Sequence, residues 1–107
     1  EVTMIRELAI TDFSATANDT VWDVRDSKAF AQGHIECAKN QPLDTLTAEL
    51  LATTDGTIYV LCGGGSKAAK AVALLNEIDP NRDIVHLTGG TRAAKAAGMT
   101  IVSDNLS

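Results

Sequence analysis

The chain has 107 residues, a net charge of −5 at neutral pH, 45% hydrophobic residues and only 4% aromatic residues. This length and hydrophobic share suit one domain with an aliphatic core and argue against intrinsic disorder. The net negative charge and the lack of any Lys/Arg run exclude a basic surface for binding nucleic acid. No apolar run is long enough to cross a bilayer, so neither nucleic acid nor membrane is an expected partner.

Hydrophobic periodicity, caps and breakers divide the chain into alternating strands and helices. Asp26 is placed to cap one helix, Gly33 to end it in the left-handed conformation, and Pro42 to keep its segment out of the centre of a sheet. In chain order, the predicted elements are a strand at 5–8, a helix from Thr11 to about 17, a turn at 18–19, a strand at 21–24, a helix at 27–32, an extended piece within 35–40, a helix at 43–52, a turn at 55–56, a strand at 57–61, a helix at 68–78, a break at 79–81, a strand at 83–87, a turn at 89–90 and a helix at 91–97.

This alternation predicts an α/β fold with a small central parallel sheet and helices on both faces. No linker, internal repeat or low-complexity tract interrupts the chain, so residues 1–107 are expected to form one domain. Ligands of such sheets bind beyond the carboxyl ends of the strands. Cys62 directly follows one predicted strand, and Asp23 and Arg25 lie at or just after the end of another. We therefore expect these three residues on one rim of the sheet.

The candidate functional loop joins the strand at 57–61 to the helix that follows it. It consists of Cys62, Gly63, Gly64, Gly65, Ser66 and Lys67. Consecutive glycines allow successive N–H groups to turn toward one point and form an anion-binding nest, to which the helix N-terminus adds positive potential. A thiol placed there is expected to ionise readily and to act as a nucleophile. The alternative is a buried cysteine followed by an ordinary turn, since cysteine is often buried.

The remaining titratable residues have structural interpretations. Asp23 and Arg25 are expected to form an ion pair that ties strand ends together. His34 is expected to be a structural hydrogen-bonding residue, and His86 to be a core or edge residue. The two histidines and the two cysteines have neither zinc-ligand nor disulfide-framework spacing, so we expect no metal and no cofactor. Without an export signal, the reducing cytoplasm is the expected location.

Several separate stretches, in the same order and at similar spacing, resemble a rhodanese-like domain over roughly residues 5–102. The residues that carry the resemblance are Asp23-Val24-Arg25, Phe30, Gly33-His34-Ile35, Ala38, Asn40, Pro42, the loop Cys62 to Lys67, Leu87-Thr88-Gly89-Gly90 and Ala96-Ala97-Gly98. The resemblance implies a three-layer α/β fold with a central parallel sheet. It also implies that the loop cysteine carries a persulfide.

In such a mechanism, the Cys62 thiolate takes the outer sulfur of a donor such as thiosulfate and passes it to cyanide or a thiol, with a protein as a further candidate acceptor. The amides from Gly63 to Lys67 would bind the anionic sulfur, and Lys67 would attract the donor. Asp23, Arg25 and His34 would support the site.

The sequence departs from the family pattern at several positions. Lys67 stands where the family often has arginine, Cys37 where glycine is common, and Ala94 where an aromatic residue is common. Two alternatives to a sulfurtransferase stay open: a sulfur-relay or regulatory module that does not turn over, and a phosphatase or arsenate reductase. The second alternative requires a loop that is one residue longer and ends in an arginine. This chain has Ala68 at the position where that arginine would stand.

Overall fold

A computed structural model describes residues 5–14, 20–64 and 66–103 of the chain. Its strands are β1 (Ile5–Ala9), β2 (Thr20–Asp23), β3 (His34–Ile35), β4 (Lys39–Asn40), β5 (Ile58–Leu61), β6 (Ile84–Thr88) and β7 (Ile101–Val102). Its α-helices are α1 (Ser27–Gln32), α2 (Ala48–Ala52), α3 (Ser66–Ile78) and α4 (Gly90–Ala96). Two short 3-10 helices span Ile10–Asp12 and Leu43–Thr45. No helix within the described ranges is both long and apolar enough to span a membrane.

The central sheet, as described, has five parallel strands in the order β1-β6-β5-β2-β4. The middle strand, β5, pairs with β6 on one side and with β2 on the other. Asp23, the last residue of β2, pairs with Leu61, the last residue of β5. The carboxyl ends of these two strands therefore meet at one rim, as the sequence predicts, and Cys62 is the first residue beyond it.

The strands alternate their side chains between two cores, one on each face of the sheet. Within β5, Val60 packs into the core under α3, beside Ala71 and Leu75, whereas Leu61 packs into the core under α4, beside Ala94. Helix α2 also covers the first face, and α1 covers the second through Phe30. The expected three-layer architecture, with helices on both faces, is thus confirmed. The buried indole of Trp22 belongs to the first core.

The predicted helix at 43–52 is wrong in its extent, because two threonines interrupt it. The Thr45 hydroxyl donates to the carbonyl of Pro42 (2.6 Å), which closes the 3-10 turn, and the Thr47 hydroxyl accepts from the Leu50 amide (3.1 Å), which starts α2. Threonine side chains that bind nearby backbone groups favour such caps over a helix interior. Leu46 and Leu51 still reach the core, so the apolar pattern was correct although the helix was not continuous.

Other expectations near the helix ends need correction. Gly33 has φ 166° and ψ 128°, which is extended rather than left-handed, because β3 begins at the next residue. The helix expected from Thr11 is a 3-10 turn that ends at Asp12, and the rest of that prediction, with the turn at 18–19, falls outside the described residues. Strand β7, which pairs antiparallel with β3, was not predicted.

Candidate active site

The candidate loop begins at the carboxyl end of the central strand. Cys62 is 2% exposed and belongs to the core under α3. Two backbone hydrogen bonds join this end of the loop to α4: the Thr91 amide donates to the Cys62 carbonyl (2.8 Å), and the Arg92 amide donates to the Gly63 carbonyl (3.0 Å). The backbone beside the thiol is therefore held by the first turn of a helix on the opposite face of the sheet.

This close approach requires glycine at position 90. Gly90 has φ +58°, in the left-handed region that disfavours side chains. A Cβ atom built there would overlap the Cys62 carbonyl oxygen and would lie 2.9 Å from the Cys62 carbonyl carbon. The Gly89-Gly90 pair thus makes the turn expected from the sequence and also lets α4 contact the loop.

The rest of the loop leads from the buried cysteine to solvent. Gly63 is half-buried and Gly64 is exposed, while Ser66 and Lys67 form the exposed first turn of α3. Gly65 lies outside the described residues. The convergence of the loop amides on one point accordingly stays a prediction.

Asp23 and Arg25 form the expected ion pair, and it is buried. The Asp23 carboxylate has no exposed surface, and it accepts from the Arg25 Nη2 (2.7 Å), Nε and backbone amide. The Arg25 Nη2 also donates to the carbonyl of Gly33 (2.7 Å), and Asn40 donates from its side chain to the carbonyls of Asp23 and Arg25. This network fixes the end of β2 beside the end of β5. Arg25 also approaches the loop, where its Cδ lies 3.6 Å from a Cβ built on Gly63.

His34 has the structural geometry expected of it. Its buried ring lies stacked on Phe30, with a centroid separation of 3.7 Å, and its Nδ1 is 2.8 Å from the Phe30 carbonyl oxygen. This bond and the stacking hold the junction between α1 and β3. His86 is buried within β6, as expected for a core histidine, and its Nδ1 lies 3.9 Å from Glu7.

Sequence reasoning missed a cationic cleft next to the loop. The cleft lies between α1 and α4, has a volume of about 320 Å³, and is lined in part by Arg25, Gly63, Thr91, Arg92 and Lys95; we call it the α4 cleft. The Arg92 guanidinium lies over the loop, with its nitrogens 3.4 and 3.5 Å from a Cβ built on Gly64. The only cue in the sequence was the pair of cations Arg92 and Lys95, which stand three residues apart in the helix that follows Gly89-Gly90.

Comparison with known proteins gives one family and several similar folds. The model of the Rhodanese-like domain family matches residues 9–97. The rhodanese-like domain of the Anabaena sp. Alr3790 protein is 30% identical, with a TM-score of 0.71, over 80% of this chain and 66% of that one. The BH2092 protein from Bacillus halodurans is 22% identical, with a TM-score of 0.80, over 92% of this chain and 77% of that one. Thiosulfate sulfurtransferase from Pseudomonas aeruginosa is 18% identical, with a TM-score of 0.81, over 94% of this chain but 21% of that enzyme. No curated protein sequence matches the chain.

Proposed function

The chain belongs to the rhodanese-like domain family, and from this premise we propose that it is a sulfurtransferase that works through a persulfide on Cys62. The observation that carries the proposal is the position of Cys62, one residue beyond the central strand and at the start of the glycine loop. Its near-complete burial favours a small sulfur donor such as thiosulfate over a bulky one.

The proposed reaction has two displacement steps. In the first step, the Cys62 thiolate attacks the outer sulfur of thiosulfate, the donor S–S bond breaks, and sulfite leaves with its electron pair. In the second step, cyanide or a thiolate attacks the outer persulfide sulfur, and Cys62 leaves again as a thiolate. The products of the second step are thiocyanate or a persulfide of the acceptor. No redox cofactor or metal enters this balance.

The loop residues have distinct proposed roles. The amides of Gly63, Gly64, Gly65 and Ser66 would stabilise the anionic persulfide, as oriented amide dipoles do for developing negative charge. Exposed Lys67, at the start of α3, would attract the dianionic donor as a point charge, without the paired hydrogen bonds of an arginine. Asp23, Arg25 and His34 would hold the backbone around the site. Transfer to a thiol acceptor suits a reducing compartment, in line with a cytoplasmic location.

Intact mass spectrometry after incubation with thiosulfate tests the proposal. The wild-type protein should gain the mass of one sulfur atom, and cyanide or dithiothreitol should remove it. Cys62→Ser should keep the fold and gain nothing, whereas Cys37→Ser, the matched control, should load normally. Cyanide-labile sulfur on Cys62→Ser would refute the assignment. A persulfide that forms but discharges to no small acceptor would favour a relay module that passes sulfur to a partner protein.

A further inference from the structure

Two of the three cations that line the α4 cleft have no acidic partner among the described residues. Arg25 is paired with Asp23, but Arg92 and Lys95 are exposed and form no ion pair within the described ranges of the chain. No acidic side chain is among the described residues that line the cleft. A local cationic site on a protein of net charge −5 attracts anionic ligands while the rest of the surface repels them.

Thr91 provides a second, independent indication that a ligand binds here. This residue is 8% exposed and lines the cleft, yet its hydroxyl oxygen has no hydrogen-bond partner among the residues described. Buried polar groups without partners are uncommon and destabilising. The hydroxyl oxygen itself has almost no accessible surface, so a rotation of the Thr91 side chain would bring it to the cleft, where a ligand carboxylate would accept its hydrogen bond.

The size and position of the cleft indicate which substrate it serves. Its volume of about 320 Å³ is near the lower end of small-molecule sites and exceeds what the five heavy atoms of thiosulfate need. Gly63 lines the cleft, so it opens one residue from the nucleophile. A ligand held there would place its reactive end at the loop and its charged end on α4.

We infer that the α4 cleft binds the carboxylate end of a small anionic thiol, which is the sulfur acceptor of the reaction. This inference rests on the proposed sulfurtransferase function. Arg92 and Lys95 would act as positioning residues for the carboxylate, and Thr91 would donate to it. The acceptor thiol then gives its proton to solvent and attacks the outer persulfide sulfur. A new S–S bond forms on the acceptor, and the bond to the Cys62 sulfur breaks.

A single-turnover experiment separates acceptor binding from donor chemistry. The persulfide is loaded with thiosulfate, the donor is removed by desalting, and discharge is followed by intact mass at fixed ionic strength. Two acceptors are compared: mercaptosuccinate, which carries two carboxylates, and thioglycerol, which is neutral. The variants are the double substitution Arg92→Gln with Lys95→Gln, the single substitution Thr91→Val, and Lys39→Gln as a charge control on the edge strand β4.

The double variant should discharge to mercaptosuccinate about tenfold more slowly, since each exposed charge contact contributes roughly three- to fivefold. Its discharge to thioglycerol should change by less than about twofold, and Thr91→Val should show the same selectivity with a smaller loss. Lys39→Gln should match the wild type with both acceptors. Equal losses with both thiols, or no loss with mercaptosuccinate, would overturn the inference.

A binding measurement tests the cleft without sulfur transfer. Mercaptosuccinate titrated into Cys62→Ser should shift the amide resonances of Thr91 and Arg92 saturably, and the Arg92→Gln/Lys95→Gln substitutions should weaken this binding several-fold. Absence of saturable shifts would overturn the cleft assignment even if the persulfide loads. Saturable binding in a protein that never loads sulfur would refute the proposed function while supporting the cleft as an anion site.

Discussion

The contact between α4 and the candidate loop predicts that Gly90→Ala is unusually damaging for a substitution that adds one methyl group. A Cβ atom at position 90 overlaps the Cys62 carbonyl oxygen and lies 3.0 Å from the Gly63 carbonyl oxygen. Both neighbours are backbone atoms, so no side chain can rotate away. Relief requires α4 to separate from the loop, which breaks the hydrogen bonds from Thr91 and Arg92.

The magnitude follows from two contributions. An L-residue in the left-handed conformation costs about 1–2 kcal/mol. Each of the two backbone hydrogen bonds contributes about 0.5–1.5 kcal/mol. We therefore expect Gly90→Ala to lower the free energy of unfolding by roughly 2–5 kcal/mol, a large part of the 5–15 kcal/mol typical of a domain. Thiosulfate loading of Cys62 should fall as well, because the backbone beside the thiol moves.

Gly98→Ala is the matched control. Gly98 has a similar φ of +82°, but among the described residues nothing lies within 4 Å of a Cβ built there. Only the conformational cost of about 1–2 kcal/mol should appear. Urea unfolding at 25 °C, followed by circular dichroism, measures both variants against the wild type. If Gly90→Ala is no less stable than Gly98→Ala, or loads sulfur at the wild-type rate, the argument that α4 positions the loop is refuted.

Three further predictions concern charged side chains. Arg25→Met should lower the free energy of unfolding by about 3–5 kcal/mol because it leaves the fully buried Asp23 carboxylate without its guanidinium partner, whereas Arg6→Met, at an exposed pair, should have a much smaller effect; equal losses in urea unfolding would contradict this. Lys67→Ala should raise the apparent KM for thiosulfate at low salt with little change in stability, and the difference should fade as salt rises; an unchanged KM would remove Lys67 from the site. Hydrogen bonds from Arg6 lower the pKa of Asp83, against an opposing effect of burial. The ionised Asp83 side chain therefore stabilises the fold fully above its unfolded-state pKa of about 3.9, and this stabilisation is lost as pH falls through the lower folded-state pKa. Asp83→Asn should flatten the pH dependence of unfolding in that acidic window, and an unchanged dependence would refute the assignment.

Local patterns in the sequence were enough to predict the sheet and the position of Cys62 at its carboxyl-end rim. The apolar run ending at Leu61 is buried on both faces, which is the property that makes a central parallel strand recognisable, and Cys62 follows it directly. Asp26 caps α1 through the Ala29 amide (2.8 Å), as its spacing predicted. Both features depend on neighbours within a few residues, so they can be derived without knowledge of the fold.

Features that depend on contacts between distant segments required the tertiary structure. Gly33 stays extended because the adjoining strand β3 pairs with β7, which begins 68 residues after Gly33. A Cβ atom built on Gly33 would lie 3.3 Å from Ile101. Arg92 reaches the loop because Gly90 lets α4 contact the carbonyl of Cys62, a residue 28 positions earlier. Sequence spacing encodes which side chains share a strand or a helix face, but not which helix end is packed against which loop. The position of Cys62 beside the glycine loop was therefore evident from the sequence, whereas the cationic cleft beside it exists only through the packing of α4 against the sheet.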